Sequence, residues 1–276
     1  METRDLPLPP CESGQRAAGG ERPVAGFFLD CLLAIALLLL LSLVFGAIWL
    51  IASVLHTTLQ GAAGLEIEAL IRGIGQPGPV AMIWMTLLST GGAALLLYSW
   101  RRRASPLERA ISFQAIRRTG TWVWVVVAGL LTFVFSATLS AAAQYFFQIA
   151  PEPSNAALIE EILRTHPVFL VLFAVLLAPA YEELLFRRVL FGRLWAAGRP
   201  WLGLLLSSAV FALAHEIPGV TNNSWPATLL LWLVYGFMGA VFAAVYWRTR
   251  TLWAAYAAHA LNNALALAVM KLYGSH

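Results

Sequence analysis

Apolar residues occur along the chain in long runs, separated by short polar or basic segments. A helix needs about 20 apolar residues to cross the hydrocarbon core of a bilayer, and every run except that at 201–216 reaches this length. The pattern predicts an all-α, polytopic transmembrane helix bundle of about seven spans (six to eight). The runs lie at about 27–55, 79–100, 121–148, 168–197, 201–216, 227–247 and 251–272.

Three polar segments complete the predicted organisation. Residues 1–25 have the composition of a solvated, disordered tail, with several charges and prolines and no pattern of a cleavable signal. The segment 65–72 has the alternation of a short interfacial helix. In the loop 151–167, Ser154 is expected to cap a short amphipathic helix that runs through Arg164.

Composition supports the membrane assignment. The 276 residues are 60% hydrophobic and 12% charged, with a mean hydropathy of +0.74, far above the range of soluble domains. The only cysteines, Cys11 and Cys31, form neither a disulfide framework nor a CxxC metal motif.

The placement of the basic residues predicts the orientation. Lys and Arg concentrate on the cytoplasmic side of membrane proteins. With the N-terminus inside, all of the 18 Lys and Arg residues are cytoplasmic except Arg72, Arg164 and Lys271. The net charge of +4 therefore follows from topology, and we expect a cytoplasmic N-terminus and no nucleic-acid partner.

Strongly polar side chains are rare within the apolar runs, and those that occur lie in the last four. Ionisable side chains at this depth are costly unless they face the bundle interior, pair with one another or line a wet cavity. They therefore indicate chemistry, transport or a buried ion pair. The set is Glu182, Glu183, Arg187, His215, His259, Asn262 and Asn263.

Spacing along the helices suggests that these side chains converge. At ~1.5 Å of rise per residue, Glu182 and His215 each lie roughly 22–24 Å from the turn that their two helices share. By the same rise, His259 and Asn263 lie roughly 14–20 Å beyond Arg250. Three helices can thus bring a carboxylate, two imidazoles and an amide into one intramembrane cluster.

The residue types fit peptide hydrolysis. A carboxylate beside an imidazole can take a proton from water, and a second imidazole with a carboxamide can donate to a developing oxyanion. Glu182, His215 and His259 are equally a plausible set of zinc ligands. Both a zinc-dependent and a metal-free glutamate mechanism stay open.

Each of these polar residues, taken alone, can also be explained by a structural role without catalysis. Glu183 and Arg187 are four apart in the favourable acid-first order, so a structural ion pair is the stronger interpretation for them. His259 and Asn263 match an interhelical hydrogen-bonding pair, and acid–histidine chains also form proton relays in transporters. A non-catalytic scaffold or immunity protein and a proton-coupled transporter are the alternative functions.

Three motifs stand in order in the C-terminal part of the chain. They are E-E-x-x-x-R at Glu182–Arg187, F-x-x-x-H at Phe211–His215 and H-x-x-x-N at His259–Asn263. In these residues the chain resembles the CPBP family, membrane proteases related to CAAX prenyl endopeptidases and to bacteriocin-processing and immunity proteins. The resemblance covers about residues 165–270.

The resemblance implies an intramembrane endopeptidase that acts on a membrane-associated protein or peptide, including prenylated CAAX-type substrates. Glu182 would act as general base with His215, while His259 and Asn263 would stabilise the oxyanion. Glu183, Arg187 and Phe211 would support the site. The implied organisation is a tail (1–25), N-terminal transmembrane helices (26–164) and a catalytic helix core (165–272), in the plasma (inner) membrane if the source is bacterial.

Overall fold

The computed structural model describes residues 22–59 and 75–273, which form helices and no strand. This confirms the predicted all-α class. The helices in the described residues are α1 (Pro23–Thr57), α2 (Pro79–Arg101), α3 (Pro106–Ile116), α4 (Thr119–Phe147), α5 (Ala156–Thr165), α6 (Pro167–Ala196), α7 (Pro200–His215), α8 (Trp225–Thr249) and α9 (Leu252–Tyr273).

Five helices, α1, α2, α4, α6 and α8, are long and apolar enough to cross a membrane. The shorter α7 is also apolar, and α9 has 22 residues. The chain is therefore a polytopic membrane helix bundle, while the number of spans and the cytoplasmic N-terminus stay predictions. The predicted interfacial helix at 65–72 and residues 1–21 of the predicted tail lie outside the described residues; residues 23–25 begin α1.

Local sequence explains where the helices begin. Proline occupies the first turn of α1, α2, α3, α6, α7 and α8, where its missing N–H removes no helical hydrogen bond. The predicted cap by Ser154 is wrong. Helix α5 follows Asn155 without a side-chain cap, and the Ser154 hydroxyl instead donates to the carbonyl of His215 at 2.9 Å. That carbonyl ends α7, where the last carbonyls lack helical partners.

Small residues allow the C-terminal helices to pack closely. A Cβ added at Gly239 of α8 would lie 3.0 Å from Ser208 of α7, and one at Gly129 of α4 would lie 2.8 Å from Leu261 of α9. Because lipid removes the hydrophobic drive for helix association, such close approach supplies van der Waals contact instead. The packing brings α7, α8 and α9 against the middle of α6.

Helix α6 is irregular where it carries the acidic pair. Wider π-helical turns at Leu172–Leu177 and Leu184–Phe191 flank the α-helical segment Ala178–Glu183. Such turns occur often at functional sites. Nearer its end, α6 is tied to α1 and α2, because Arg193 and Arg101 both bind the buried carboxylate of Asp30.

Candidate active site

The structure brings Glu182, His215 and His259 together, as their depths along the helices predict. The Oε2 atom of Glu182 lies 3.6 Å from Nε2 of His215 and 3.8 Å from Nε2 of His259. This oxygen is buried and has no hydrogen-bond partner among the described residues. A buried acceptor left unsatisfied is expensive, so the arrangement leaves one carboxylate oxygen available beside two imidazoles.

The other ring nitrogen of each histidine determines how that ring is presented. His215 Nδ1 lies 2.8 Å from the carbonyl of Phe211, and His259 Nδ1 lies 2.8 Å from Oε1 of Glu183. A carbonyl or carboxylate oxygen can only accept, so Nδ1 carries the hydrogen in both rings. Each Nε2 therefore faces Glu182 as an acceptor when its ring is neutral and as a donor when its ring is protonated.

Glu183 has two partners where the sequence predicted one. Its Oε2 lies 3.1 Å from Nε of Arg187, four residues later, and both side chains are almost fully buried. The N–H does not point at the oxygen, so this contact is an ion pair without a hydrogen bond. Its Oε1 accepts from His259. Glu183 thus links the buried arginine to one of the site imidazoles.

Aromatic rings pack against the guanidinium of Arg187 and against both imidazole rings. The guanidinium of Arg187 lies 4.5 Å from the centre of the Phe211 ring and 5.4 Å from that of Phe242. Phe211 also contacts the His215 ring, with centroids 4.2 Å apart, and Phe242 stacks on His259 at 4.7 Å. The predicted supporting position of Phe211 therefore corresponds to a fully buried ring between Arg187 and His215.

Asn263 lies at the edge of the cluster. Its amide donates to the backbone carbonyl of Ala174 at 2.9 Å, and its oxygen accepts from Asn262 at 3.1 Å. One N–H of the Asn263 amide is thus committed to α6, which leaves its second hydrogen for any oxyanion. The assignment of Asn263 as an oxyanion donor stays a prediction.

Sequence reasoning missed two residues beside His215. The Tyr235 ring lies against the His215 imidazole, with centroids 4.6 Å apart, but a tyrosine in an apolar run carries no signal of this contact. Glu216 is fully buried, and its carboxylate accepts from Thr221 at 2.5 Å and Asn223 at 3.0 Å. An acid directly after the motif histidine is the signal that could have identified Glu216.

The residues predicted to bind zinc meet one requirement of a metal site, the chemistry of the donor atoms. A carboxylate oxygen and two imidazole nitrogens are donors that zinc takes in proteins. Across 22–59 and 75–273, however, no group of three or more His, Cys, Asp or Glu side chains is arranged to hold a metal ion. Zinc binding by Glu182, His215 and His259 stays a prediction.

Fold and site together define a polytopic membrane protein with a carboxylate–imidazole cluster inside its helix bundle. Residues 164–265 match the family model described as "Type II CAAX prenyl endopeptidase Rce1-like". This segment contains all three motifs. The match confirms the resemblance to the CPBP family for the part of the chain that carries the site.

A relative from Bacillus subtilis supports the same family. Over 151 residues the chain is 28% identical to "Putative membrane peptidase YdiL" of Bacillus subtilis (strain 168). The alignment covers 54% of this chain and 56% of the relative, so the chain spans little more than half the length of that relative. No solved structure matches the chain.

Proposed function

We propose that the protein is an intramembrane endopeptidase that hydrolyses a peptide bond in a membrane-associated protein or peptide. The observation that carries the proposal is the Oε2 atom of Glu182, which has no hydrogen-bond partner within 22–59 and 75–273 and faces two imidazole nitrogens at 3.6 and 3.8 Å. These distances are too long for direct hydrogen bonds. A water molecule beside the three atoms would bond to them instead.

In the first step, the carboxylate of Glu182 takes a proton from this water as general base. The water oxygen forms a bond to the carbonyl carbon of the peptide, and the π electrons of that carbonyl move onto its oxygen. His215 Nε2 orients the water, since its ring is held by the hydrogen bond to Phe211 and by the Phe211 and Tyr235 rings.

In the second step, the tetrahedral intermediate collapses and the C–N bond breaks. The proton held by Glu182 passes to the leaving nitrogen, which gives a free amine and a new carboxyl terminus. A protonated His259 donates through Nε2 to the oxyanion, and the second amide hydrogen of Asn263 is the other proposed donor. Glu183 compensates the charge on His259 through the 2.8 Å contact.

The proposed substrate class includes prenylated CAAX-type proteins, because the matching family model describes CAAX prenyl endopeptidases. The site lies on apolar helices of the C-terminal core, and this location favours a substrate that is itself bound to the membrane. A matched pair of peptides, one prenylated and one unmodified, tests this part of the proposal separately from cleavage itself.

The central experiment measures cleavage of a fluorogenic, membrane-anchored peptide by the purified protein in liposomes. Glu182→Gln and His215→Asn are each expected to lower the rate by about 10²–10⁴-fold, the usual contribution of general base catalysis. Glu160→Gln is the matched control, because Glu160 is exposed on α5. Folded Glu182→Gln protein that cleaves at the wild-type rate would eliminate the proposal and favour a non-catalytic scaffold.

A further inference from the structure

A cavity of about 530 Å³ lies between α3, α6, α8 and α9. We call it the α3 cavity. Its volume is within the range of sites for small molecules. The walls are mostly apolar and are formed by side chains such as Ile111, Leu177, Leu184, Leu252, Trp253 and Tyr256.

The α3 cavity carries positive charge on one side. Arg109, Arg188 and Arg250 all line it. Arg188 is engaged by the Glu108 carboxylate, with N–O distances of 3.0 and 2.8 Å. Arg109 is exposed, and its guanidinium makes no hydrogen bond or ion pair with the residues that the structure describes. The cavity is therefore apolar within and cationic at its edge.

The α3 cavity is separate from the reacting atoms of the proposed protease. Glu183 lines it, but neither Glu182 nor His215 does. Consecutive residues on a helix point about 100° apart, so the cavity lies on a different face of α6 from the unpartnered carboxylate oxygen. The peptide bond that is cleaved is therefore not expected inside this cavity, which leaves the space for a resident amphiphile.

We propose that the α3 cavity binds an anionic phospholipid, with one acyl chain between α6 and α9 and the phosphate beside Arg109 and Arg250. The positive-inside rule assigns this end of the bundle to the cytoplasmic leaflet, where anionic lipids attract basic side chains. Arginine also binds phosphate through two parallel hydrogen bonds. Charge and apolar lining thus match the two ends of one lipid.

The test compares phosphatidylglycerol with phosphatidylcholine of the same acyl chains, using native mass spectrometry of the purified protein. Wild-type protein is expected to retain one phosphatidylglycerol in preference to phosphatidylcholine. Arg109→Ala is expected to weaken this binding about fivefold, the effect of one arginine near an anionic lipid surface. Arg117→Ala is the matched control, because Arg117 is exposed near the same end of the bundle and does not line the cavity.

A third variant, Ile111→Trp, tests the position of the acyl chain, because the tryptophan side chain is larger than isoleucine and would fill the apolar part of the α3 cavity. Loss of retained phosphatidylglycerol in this variant supports the proposal. Equal retention of both lipids, or equal effects of the Arg109 and Arg117 substitutions, would overturn it. Displacement of the lipid by a prenylated peptide would also overturn it, since the cavity would then be a substrate site. No cleavage is measured, so the result is independent of the proposed protease activity.

Discussion

The same substitution to glutamine is expected to cost far more stability at Glu183 than at the adjacent Glu182. Glu183→Gln removes the only carboxylate that forms an ion pair with Arg187 in the described residues, and both side chains are almost fully buried. Removing one partner of a buried ion pair costs about 3–5 kcal/mol, because the other charge remains uncompensated. Glu182→Gln removes a carboxylate whose Oε2 has no hydrogen-bond partner in the described part of the chain, so little stability should be lost.

The stability difference converts into a measurable shift of the unfolding midpoint. For chains of this size about 1 kcal/mol corresponds to about 2–4 °C, so Glu183→Gln should unfold about 6–20 °C below wild type. Glu182→Gln should unfold within about 4 °C of wild type, since it loses less than about 1 kcal/mol. Adding Arg187→Met to Glu183→Gln should recover part of the loss, because the uncompensated charge is then absent.

Thermal unfolding of the detergent-solubilised protein, followed by tryptophan fluorescence, measures these shifts, and the liposome cleavage assay gives the activities. Glu183→Gln should also lower the cleavage rate by about 10²-fold, because a neutral amide replaces the carboxylate that orients the ring of His259 and compensates its charge, and small misplacements have this effect. The reasoning is refuted if Glu183→Gln unfolds at the wild-type temperature, or if both single substitutions lower the midpoint equally.

Three further predictions concern the surroundings of the site. Tyr235→Phe should keep most of the cleavage rate and Tyr235→Leu should lower it about tenfold or more, because only the leucine removes the ring against His215; equal rates would contradict a positioning role. Burial alone would raise the pKa of Glu108, but its hydrogen bonds and ion pair with Arg188 hold that pKa below the ordinary value of 4.5. The pair therefore stabilises the fold above pH 4.5 and this contribution is lost as the pH falls through the lowered pKa, so Glu108→Gln should reduce the acid dependence of the unfolding midpoint; an unchanged profile would count against it. If Glu182 activates water without a metal, as in the proposed steps, cleavage should survive treatment with a zinc chelator; loss of activity together with stoichiometric zinc in the untreated protein would show the opposite.

Several features of the site were predictable because they depend on position along a helix. The distances of Glu182 and His215 from the turn between α6 and α7 placed both side chains at similar depths. The four-residue separation of Glu183 and Arg187 predicted their ion pair, found at 3.1 Å. These predictions needed only the rise and periodicity of a helix.

Other features depend on how each helix is rotated against its neighbours. His259 of α9 forms a hydrogen bond with Glu183 of α6. Asn263 of α9 donates a hydrogen bond to the carbonyl of Ala174, also in α6. Ser154 was expected to cap its own helix and instead reaches the end of α7. The spacing of residues along one helix does not determine which residues of another helix they contact.

The sequence by itself determined that this is an all-α membrane protein and which few polar side chains lie at depth. Long apolar runs leave lipid as the solvent, and charged groups are tolerated there only in the interior of a bundle. The tertiary structure decided that Glu182 keeps a free oxygen before two imidazoles, while Glu183 is bound by Arg187 and His259. The physical reason is that the partners of Glu182 and Glu183 depend on how α6 is rotated about its axis and on how closely α7, α8 and α9 pack against it.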